Sequence, residues 1–351
     1  MEEKINSDTV ADINEDTIVE EEAIATKEEK VKTSTSSGKM KAVRIHKYGG
    51  LETLVYENAP VPEVGPSEVF IKVHAAGVNP VDWKIREGHM KDIISYQFPL
   101  ILGLDMAGVI VNVGSLVTRF KAGDAVFVRP DISQNGCYAE YAVAKASDVA
   151  FAPASIPLSH AAGIPLASQT AWMGLFDVGN LKRNQRVLIH GASGGVGVFA
   201  IQLAKIAGAY VAATTSTPNK EFIKSLGADE IIDYQKEDFS TLKDFDLVFD
   251  TIGGETQTHS WQILNKDGVL VSTVGINKDE ATKNGKVGKS FMTISNGARL
   301  QEIAGLIDKR MLRVVIDKKF PITQVKEAHE LSQSGKTRGK IILSVVDNPS
   351  H

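Results

Sequence analysis

The sequence predicts a fold of mixed class, α/β plus all-β: a β-barrel-like module followed by a doubly wound parallel sheet. From Met40 to about Pro165, short alternating strands are separated by Gly- and Pro-rich turns, the pattern of an all-β module. Beyond it the rhythm changes to strand, helix, strand. The first such unit, residues 186–208, reads RVLIHGASGGVGVFAIQLAKIAG. At 351 residues the chain is long enough for two cores.

Residues 1–39 differ in kind from the rest. They hold 11 acids and five lysines, with no arginine and no aromatic residue, so they carry −6 of a total of −4 and leave +2 on the remainder. The segment ends in Thr33-Ser34-Thr35-Ser36-Ser37-Gly38, a flexible-linker composition. It buries too little apolar surface to offset the entropy of ordering, so disorder is expected. A helix through 15–29 and a partner-binding role stay open. The segment has neither the apolar core of a secretion signal nor the arginines of a transit peptide, and a cytoplasmic location is expected. The charge gives no reason to expect nucleic acid or a membrane as partner, and no apolar run reaches membrane-spanning length. A single cysteine, Cys137, excludes intramolecular disulfides and thiolate-rich metal sites and is expected to be a small packing residue.

Four strands are read in the first module, at 41–45, 68–73, 108–114 and 124–128, giving a domain over 40–165. In the second, over 166–297, strands are expected at 187–189, 209–214, 230–233, 245–250 and 268–272, with helices after the glycines and near 219–226. A helix at 298–309 and a strand at 340–343 belong to a tail, 298–351, expected to return to the first domain. There are no internal repeats.

The glycines after Ile189 carry chemistry. Side chains at Gly191, Gly194, Gly195 and Gly197 would obstruct a tight turn, the approach of a pyrophosphate, or packing of helix on strand. Strand, turn and helix stand in the order that makes such a pattern specific, and the helix aims its free N–H groups at an anion. A dinucleotide is expected there. Proteins that bind NAD commonly place Asp or Glu at the end of the next strand to hold the ribose 2′-OH. Here 214–220 reads TTSTPNK, with no acid before Glu221. Hydroxyls and Lys220 suit a 2′-phosphate better than a solvated first-turn lysine alone would require, so NADPH is the expected cofactor.

The chain resembles the zinc-free branch of the medium-chain dehydrogenase/reductase superfamily, the quinone oxidoreductases and NADPH-dependent alkenal/enone reductases. The resemblance runs from Met40 to about Val345. It rests on GVNPVDWK at 77–84, LGLDMAG at 102–108, the glycine turn at 191–197, FDTIGG at 249–254 and TRGK at 337–340. It implies a GroES-like β-barrel catalytic domain with a Rossmann cofactor domain, and a homodimer. The zinc alcohol dehydrogenases of this superfamily carry a Cys near Val78, a His-Glu pair near Leu104-Asp105 and a four-cysteine lobe. This chain has none of them, so no metal is expected.

The resemblance also implies roles. Ser193, Gly194, Gly195 and Val196 would lie in the pyrophosphate turn, Ser216 and Lys220 would hold the 2′-phosphate, and Tyr234 would lie near the adenosine. Thr170 would bond the nicotinamide amide or its ribose. Thr251, Ile252, Gly253, Val274 and Gly275 would line the nicotinamide, and Phe291, Met292 and Thr293, read as a strand edge, would offer backbone groups to the carboxamide. Asn79, Asp82 and Lys84 are the candidate catalytic residues. Asn79 would orient a substrate oxygen or ribose hydroxyl, and Lys84 would stabilise an enolate oxygen. Asp82 is equally open to a structural role, as a buried partner of Lys84 or of a turn. Tyr56 and Tyr96 are possible pocket residues, and the final proton could come from water. The expected function is hydride transfer from NADPH to a small quinone or to the C=C of an α,β-unsaturated aldehyde or ketone. The alternative is an NADP(H)-binding protein with vestigial activity that acts mainly through protein interaction.

Overall fold

The computed structural model describes residues 38–345. The disorder expected over 1–39 therefore falls outside the described residues, apart from Gly38 and Lys39, and Lys39 already opens a strand.

Among the described residues, eight strands come before residue 152: β1 (Lys39–Ile45), β2 (Val55–Pro60), β3 (Glu68–Val78), β4 (Leu100–Ile101), β5 (Met106–Val113), β6 (Ala125–Val128), β7 (Tyr141–Lys145) and β8 (Ala150–Phe151). A three-stranded sheet has the order β2-β1-β4. In the larger sheet β3 is central, paired antiparallel with β5 and, along its first half, with β7. Val69, Ile71 and Val73 of β3 are buried while Lys72 between them is exposed, the period-2 alternation of a strand with one wet face. From Ala75 to Val78 the alternation stops and every residue is buried. Only small residues fit there: a Cβ on Gly77 would stand 2.4 Å from the Ala162 carbonyl oxygen and 2.9 Å from Asp105 Cβ.

β3 ends at Val78, and α1 (Pro80–Arg86) starts just past Asn79. Pro80 occupies the first helical position, where its missing N–H costs nothing. The Asp82 carboxylate reaches back to accept the Asn79 N–H at 2.7 Å. This reciprocal cap turns the chain out of the sheet and fixes Asn79 at the corner.

α2 (Leu158–Ala161) and α3 (Pro165–Trp172) lead out of the barrel, and α3 runs on as a π-helical turn over Met173–Val178. The second sheet contains β9 (Arg186–Ile189), β10 (Tyr210–Thr215), β11 (Glu230–Asp233), β12 (Phe245–Asp250), β13 (Leu264–Ser272) and β14 (Val287–Ser290). All pair in parallel, in the order β11-β10-β9-β12-β13-β14. The connecting helices are α4 (Gly195–Ile206), α5 (Lys220–Ser225), α6 (Gly254–Ser260) and α7 (Lys278–Lys283). Val187 and Ile189 of β9 pack with Phe199 of α4 into one core, while Leu188 between them packs with Trp261 in another. Buried on both faces, the strand has to be apolar throughout. β10 and β12 leave β9 in opposite directions, which opens a crevice beyond the carboxyl ends of β9 and β12.

α8 (Gly297–Asp308), β15 (Ile316–Pro321), α9 (Val325–Gln333) and β16 (Lys340–Ser344) close the chain. β16 pairs antiparallel with the end of β3, Ile341 opposite Val78, and β15 pairs with β16. The last strand thus completes the barrel's larger sheet. One expectation needs correction: Phe291, Met292 and Thr293 are not a strand edge. The strand is β14, four residues earlier, and 291–296 is irregular chain between it and α8. Its Val-Gly-Lys-Ser sequence and single partner strand give β14 little apolar signal, whereas Phe291-Met292 has the look of a strand without a neighbour.

Candidate functional site

The glycine turn forms one wall of the crevice. Gly191 has φ +69°, and a Cβ there would stand 2.3 Å from Thr251 Oγ1. A Cβ on Gly197 would stand 2.4 Å from the Gly191 carbonyl oxygen, so helix and strand touch without side chains between them. At Gly194 a Cβ would meet nothing nearer than 3.3 Å; on that side the backbone lies bare. α4 is 12 residues long and has no side-chain cap at Gly194, which leaves the first N–H groups, those of Gly195 and Val196, to an outside acceptor. A cradle of bare backbone at a helix N-terminus fits a pyrophosphate. Ser193 contributes its carbonyl, which accepts the Gly339 N–H at 2.8 Å.

The end of β10 forms the next part. Lys220 is paired with Glu237 at 3.1 Å, both side chains well exposed. An ion pair this exposed is screened by solvent and holds neither partner firmly. Ser216 Oγ accepts from Asn219 Nδ2 at 3.2 Å. Arg338, quoted in the TRGK segment but given no role by the sequence reading, crosses from the far end of the chain. Its Nη2 donates to Asn219 Oδ1 at 2.8 Å and to the Pro218 carbonyl at 3.2 Å, and its guanidinium lies 5.0 Å over the Phe222 ring. Tyr234 stands exposed beside them, its N–H bonded to the Thr215 carbonyl at 3.1 Å.

The crevice walls nearer its centre are held from behind. Asp250, fully buried, accepts the N–H groups of Ile252 and Gly253 at 2.8 and 2.9 Å and binds Gln257 Nε2 at 3.0 Å. Gln257 also bonds the Gly275 carbonyl at 2.9 Å and the Asn277 N–H at 3.0 Å. One side chain therefore ties together the turns bearing Thr251, Ile252 and Gly253 and those bearing Val274 and Gly275. Ile252, Val274 and Met292 are large apolar side chains left exposed on these turns. Opposite, Thr170 of α3 shares a 2.7 Å hydrogen bond with Thr293, which brings 291–293 to α3 without a strand.

Asn79 lies at the barrel side. Its Nδ2 donates to Asp105 Oδ2 at 2.8 Å, and its Oδ1 accepts from Lys340 Nζ. Lys340 also donates to Asp105 Oδ2 at 3.0 Å, and the other Asp105 oxygen accepts the Leu166 N–H at 2.6 Å. Asp82 Oδ2 accepts the Asn79 N–H and the Tyr138 hydroxyl, at 2.7 and 2.8 Å, while its Oδ1 is buried with no partner among the described residues. Burial pushes the Asp82 carboxyl up to about 7, against the opposing pull of the Asn79 N–H and Tyr138. Burial also raises Asp105, with Lys340 pulling the other way. The structure thus brings Asn79 and Asp82 together and leaves Lys84 out. Two residues on from Asp82, Lys84 is turned roughly 200° round the helix, with its ammonium 5.6 Å from the Trp83 ring.

The lysine of the site is Lys340. It is 3% exposed and touches both walls: a Cβ on Gly195 would lie 2.9 Å from Lys340 Cδ. Only its place in the closing TRGK segment marked it in the sequence. Cys137 is buried, donates weakly to the Asp105 carbonyl and has its thiol raised well above the usual range by burial, as a packing residue should. Among the described residues no three His, Cys, Asp or Glu side chains group as a metal site.

Known proteins share this arrangement. Residues 65–154 match the alcohol dehydrogenase GroES-like domain and 226–343 the zinc-binding dehydrogenase family model. The chain is 36% identical over 362 residues to the mouse (Mus musculus) mitochondrial NAD(P)H oxidoreductase RTN4IP1, covering 90% of this chain and 91% of that protein. It belongs to the medium-chain dehydrogenase/reductase superfamily. Within the superfamily its relatives are quinone and enone reductases. It is 37% identical over 329 residues to the 2-methylene-furan-3-one reductase of Solanum lycopersicum, covering 89% of this chain and 81% of that one. The quinone oxidoreductase of Coxiella burnetii superposes with a TM-score of 0.82 at 32% identity, over 88% of this chain and all of that one. Like other members of this superfamily branch, the protein is a nicotinamide-dependent oxidoreductase with a GroES-like barrel and a Rossmann sheet.

Proposed function

We propose that the protein is an NADPH-dependent reductase that passes hydride to a quinone or to the C=C of an α,β-unsaturated aldehyde or ketone, without zinc. The observation that carries the reading is the group at the end of β10. Arg338 and Ser216 both bond Asn219 there, beside Lys220, and the one acid paired with Lys220 among the described residues, Glu237, is held in an exposed pair open to displacement by a phosphate. A 2′-phosphate gains charge-assisted hydrogen bonds there that a ribose hydroxyl does not.

When bound, the coenzyme supplies the hydride. The residues do the rest. The backbone of Gly194, Gly195 and Val196 holds the pyrophosphate, and Thr251–Gly253, Val274 and Gly275 form the floor for the nicotinamide. Asn79 is locked by Lys340, Asp105 and the start of α1, with one amide N–H left to orient an oxygen. The positions where zinc relatives carry Cys and His hold buried Val78 and Leu104, neither a ligand, and the neighbouring carboxylate Asp105 is engaged with Lys340. We further infer a homodimer formed along β14, which has β13 as its one partner strand and carries Val287, 52% exposed.

The test is NADPH and NADH oxidation against a panel of quinones, alkenals and ring enones. Substitution of Arg338 by Ala is expected to raise KM for NADPH by roughly tenfold or more, since a hydrogen bond to a charged group is worth about 1.5–3 kcal/mol, and to leave NADH within twofold. Equal effects on both coenzymes would remove the 2′-phosphate assignment, and no turnover with any acceptor would sink the reductase.

A further inference from the structure

Arg129 follows β6 and is 6% exposed. A guanidinium has five N–H donors, yet among the described residues a single side-chain hydrogen bond is made, from Nη1 to Ser295 Oγ at 2.8 Å, and Nε is buried with no partner. No carboxylate comes within 4.0 Å of it among the described residues; Asp105, Asp131 and Asp148 act on it only as more distant charges. An arginine this deep is ordinarily matched by a carboxylate, because an uncompensated buried charge costs several kcal/mol.

Its surroundings are those of the crevice. Ser295 lies on the 291–296 segment, two residues beyond Thr293, which bonds Thr170. Ser295 also returns its hydroxyl to the Arg129 carbonyl at 2.8 Å, so the segment and the guanidinium hold each other in place. Tyr96, from the loop between α1 and β4, has a buried hydroxyl without a partner among the described residues and packs against the same core as Val128, the neighbour of Arg129 in sequence. Asp105, the far end of the Asn79 group, is close enough to act on Arg129 as well. A cation with no carboxylate partner and a hydroxyl with no hydrogen bond among the described residues, both buried, thus stand beside the coenzyme-side segment that Ser295 ties to Arg129.

We infer that Arg129 and Tyr96 form an anion subsite for the acceptor, and that the acceptors are conjugated compounds carrying a carboxylate beside the reducible C=C or ring. This rests on the reductase reading and narrows it. A carboxylate there receives N–H groups of Arg129 in the planar fork that matches it, plus the Tyr96 hydroxyl, and answers the buried charge. A neutral carbonyl supplies a dipole where the site has an unbalanced unit charge.

Calorimetric titration of the full chain, with and without saturating NADP+, tests it. The probes are acrylate, cinnamate and 4-oxo-2-pentenoate, each against its neutral amide. At least one acid is expected to bind tenfold or more tighter than its amide. Arg129→Met should bring the two to parity, and Arg129→Lys should restore part of the difference, since an ammonium supplies charge without the fork. Equal affinities in the wild-type chain, no binding of any acid, or a preference that survives Arg129→Met would overturn the assignment. NADP+ affinity in the same titrations reports separately on the coenzyme reading, so the two fail in different ways.

Discussion

Lys340 Nζ sits between Asn79 Oδ1 and Asp105 Oδ2 with almost no access to solvent, so its charge cannot be removed without consequence. Substitution by Met leaves Asp105 buried without a cation, a loss expected to cost about 3–5 kcal/mol; a loss below 1 kcal/mol by urea denaturation would show that Asp105 does not depend on it. Asp82 is the residue that makes stability respond to pH. Its carboxyl is raised to about 7, whereas an aspartate in the unfolded chain ionises near 4. Between those values the folded protein holds a proton that the unfolded chain has released. The contribution of Asp82 is therefore full below about pH 4, declines by about 1.4 kcal/mol per pH unit up to 7 and is flat above. Relative to the wild type, Asp82→Asn should gain about 2–3 kcal/mol between pH 5 and pH 8; a difference that stays constant with pH would show that Asp82 is ionised throughout. Comparison with the wild type at each pH cancels the opposite slope from His190 and His329, whose burial lowers them to about 4 and about 3.

At the scale of elements, the two kinds of glycine separate cleanly. Gly197 is packed against backbone: a Cβ would stand 2.4 and 2.5 Å from the carbonyl oxygens of Gly191 and Ala192. Gly197→Ala is expected to cost about 1–3 kcal/mol and to abolish coenzyme binding, measured by NADPH fluorescence. Gly305, inside α8, has open space around its Cβ position, so Gly305→Ala should stabilise by about 0.5–1 kcal/mol; a destabilised variant would mean that α8 is not free on that face. The elements legible in the sequence were those with a strong period and length: β9 and α4, β11, β12 and α8 fall within a residue or two of their expected places. β14 was missed because Val-Gly-Lys-Ser holds one apolar residue, where β11, an edge strand of the same length, has Ile231-Ile232, and α1 because seven residues carry too little periodicity, although Asn79-Pro80 and Asp82 spell a helix start. Among the side chains, Asn79 and Asp82 were found through their motif. Lys340, Arg338 and Arg129 were not, because each acts on groups more than 100 residues away in sequence, a separation that local pattern does not encode.

For the whole molecule, the edge along β14 gives a direct test of assembly. Lys289→Pro removes one backbone N–H from this edge strand and sets a ring against any strand added there. It should convert a dimer seen by analytical ultracentrifugation to a monomer, and a wild-type chain that is monomeric at micromolar concentration would end that inference. The closing segment has wider reach. Gly339 bonds the glycine turn, Lys340 the Asn79 group and Arg338 the end of β10, while β16 seals the barrel against β3. All four contacts come from residues 338–344, near the end of the chain. On the ribosome, then, the parallel sheet has all its strands before the clasp has been translated, and the barrel waits with β3 unmatched along one side. Until residues 338–344 are made, the glycine turn, the Asn79 group and the end of β10 each lack the contacts that fix them against one another.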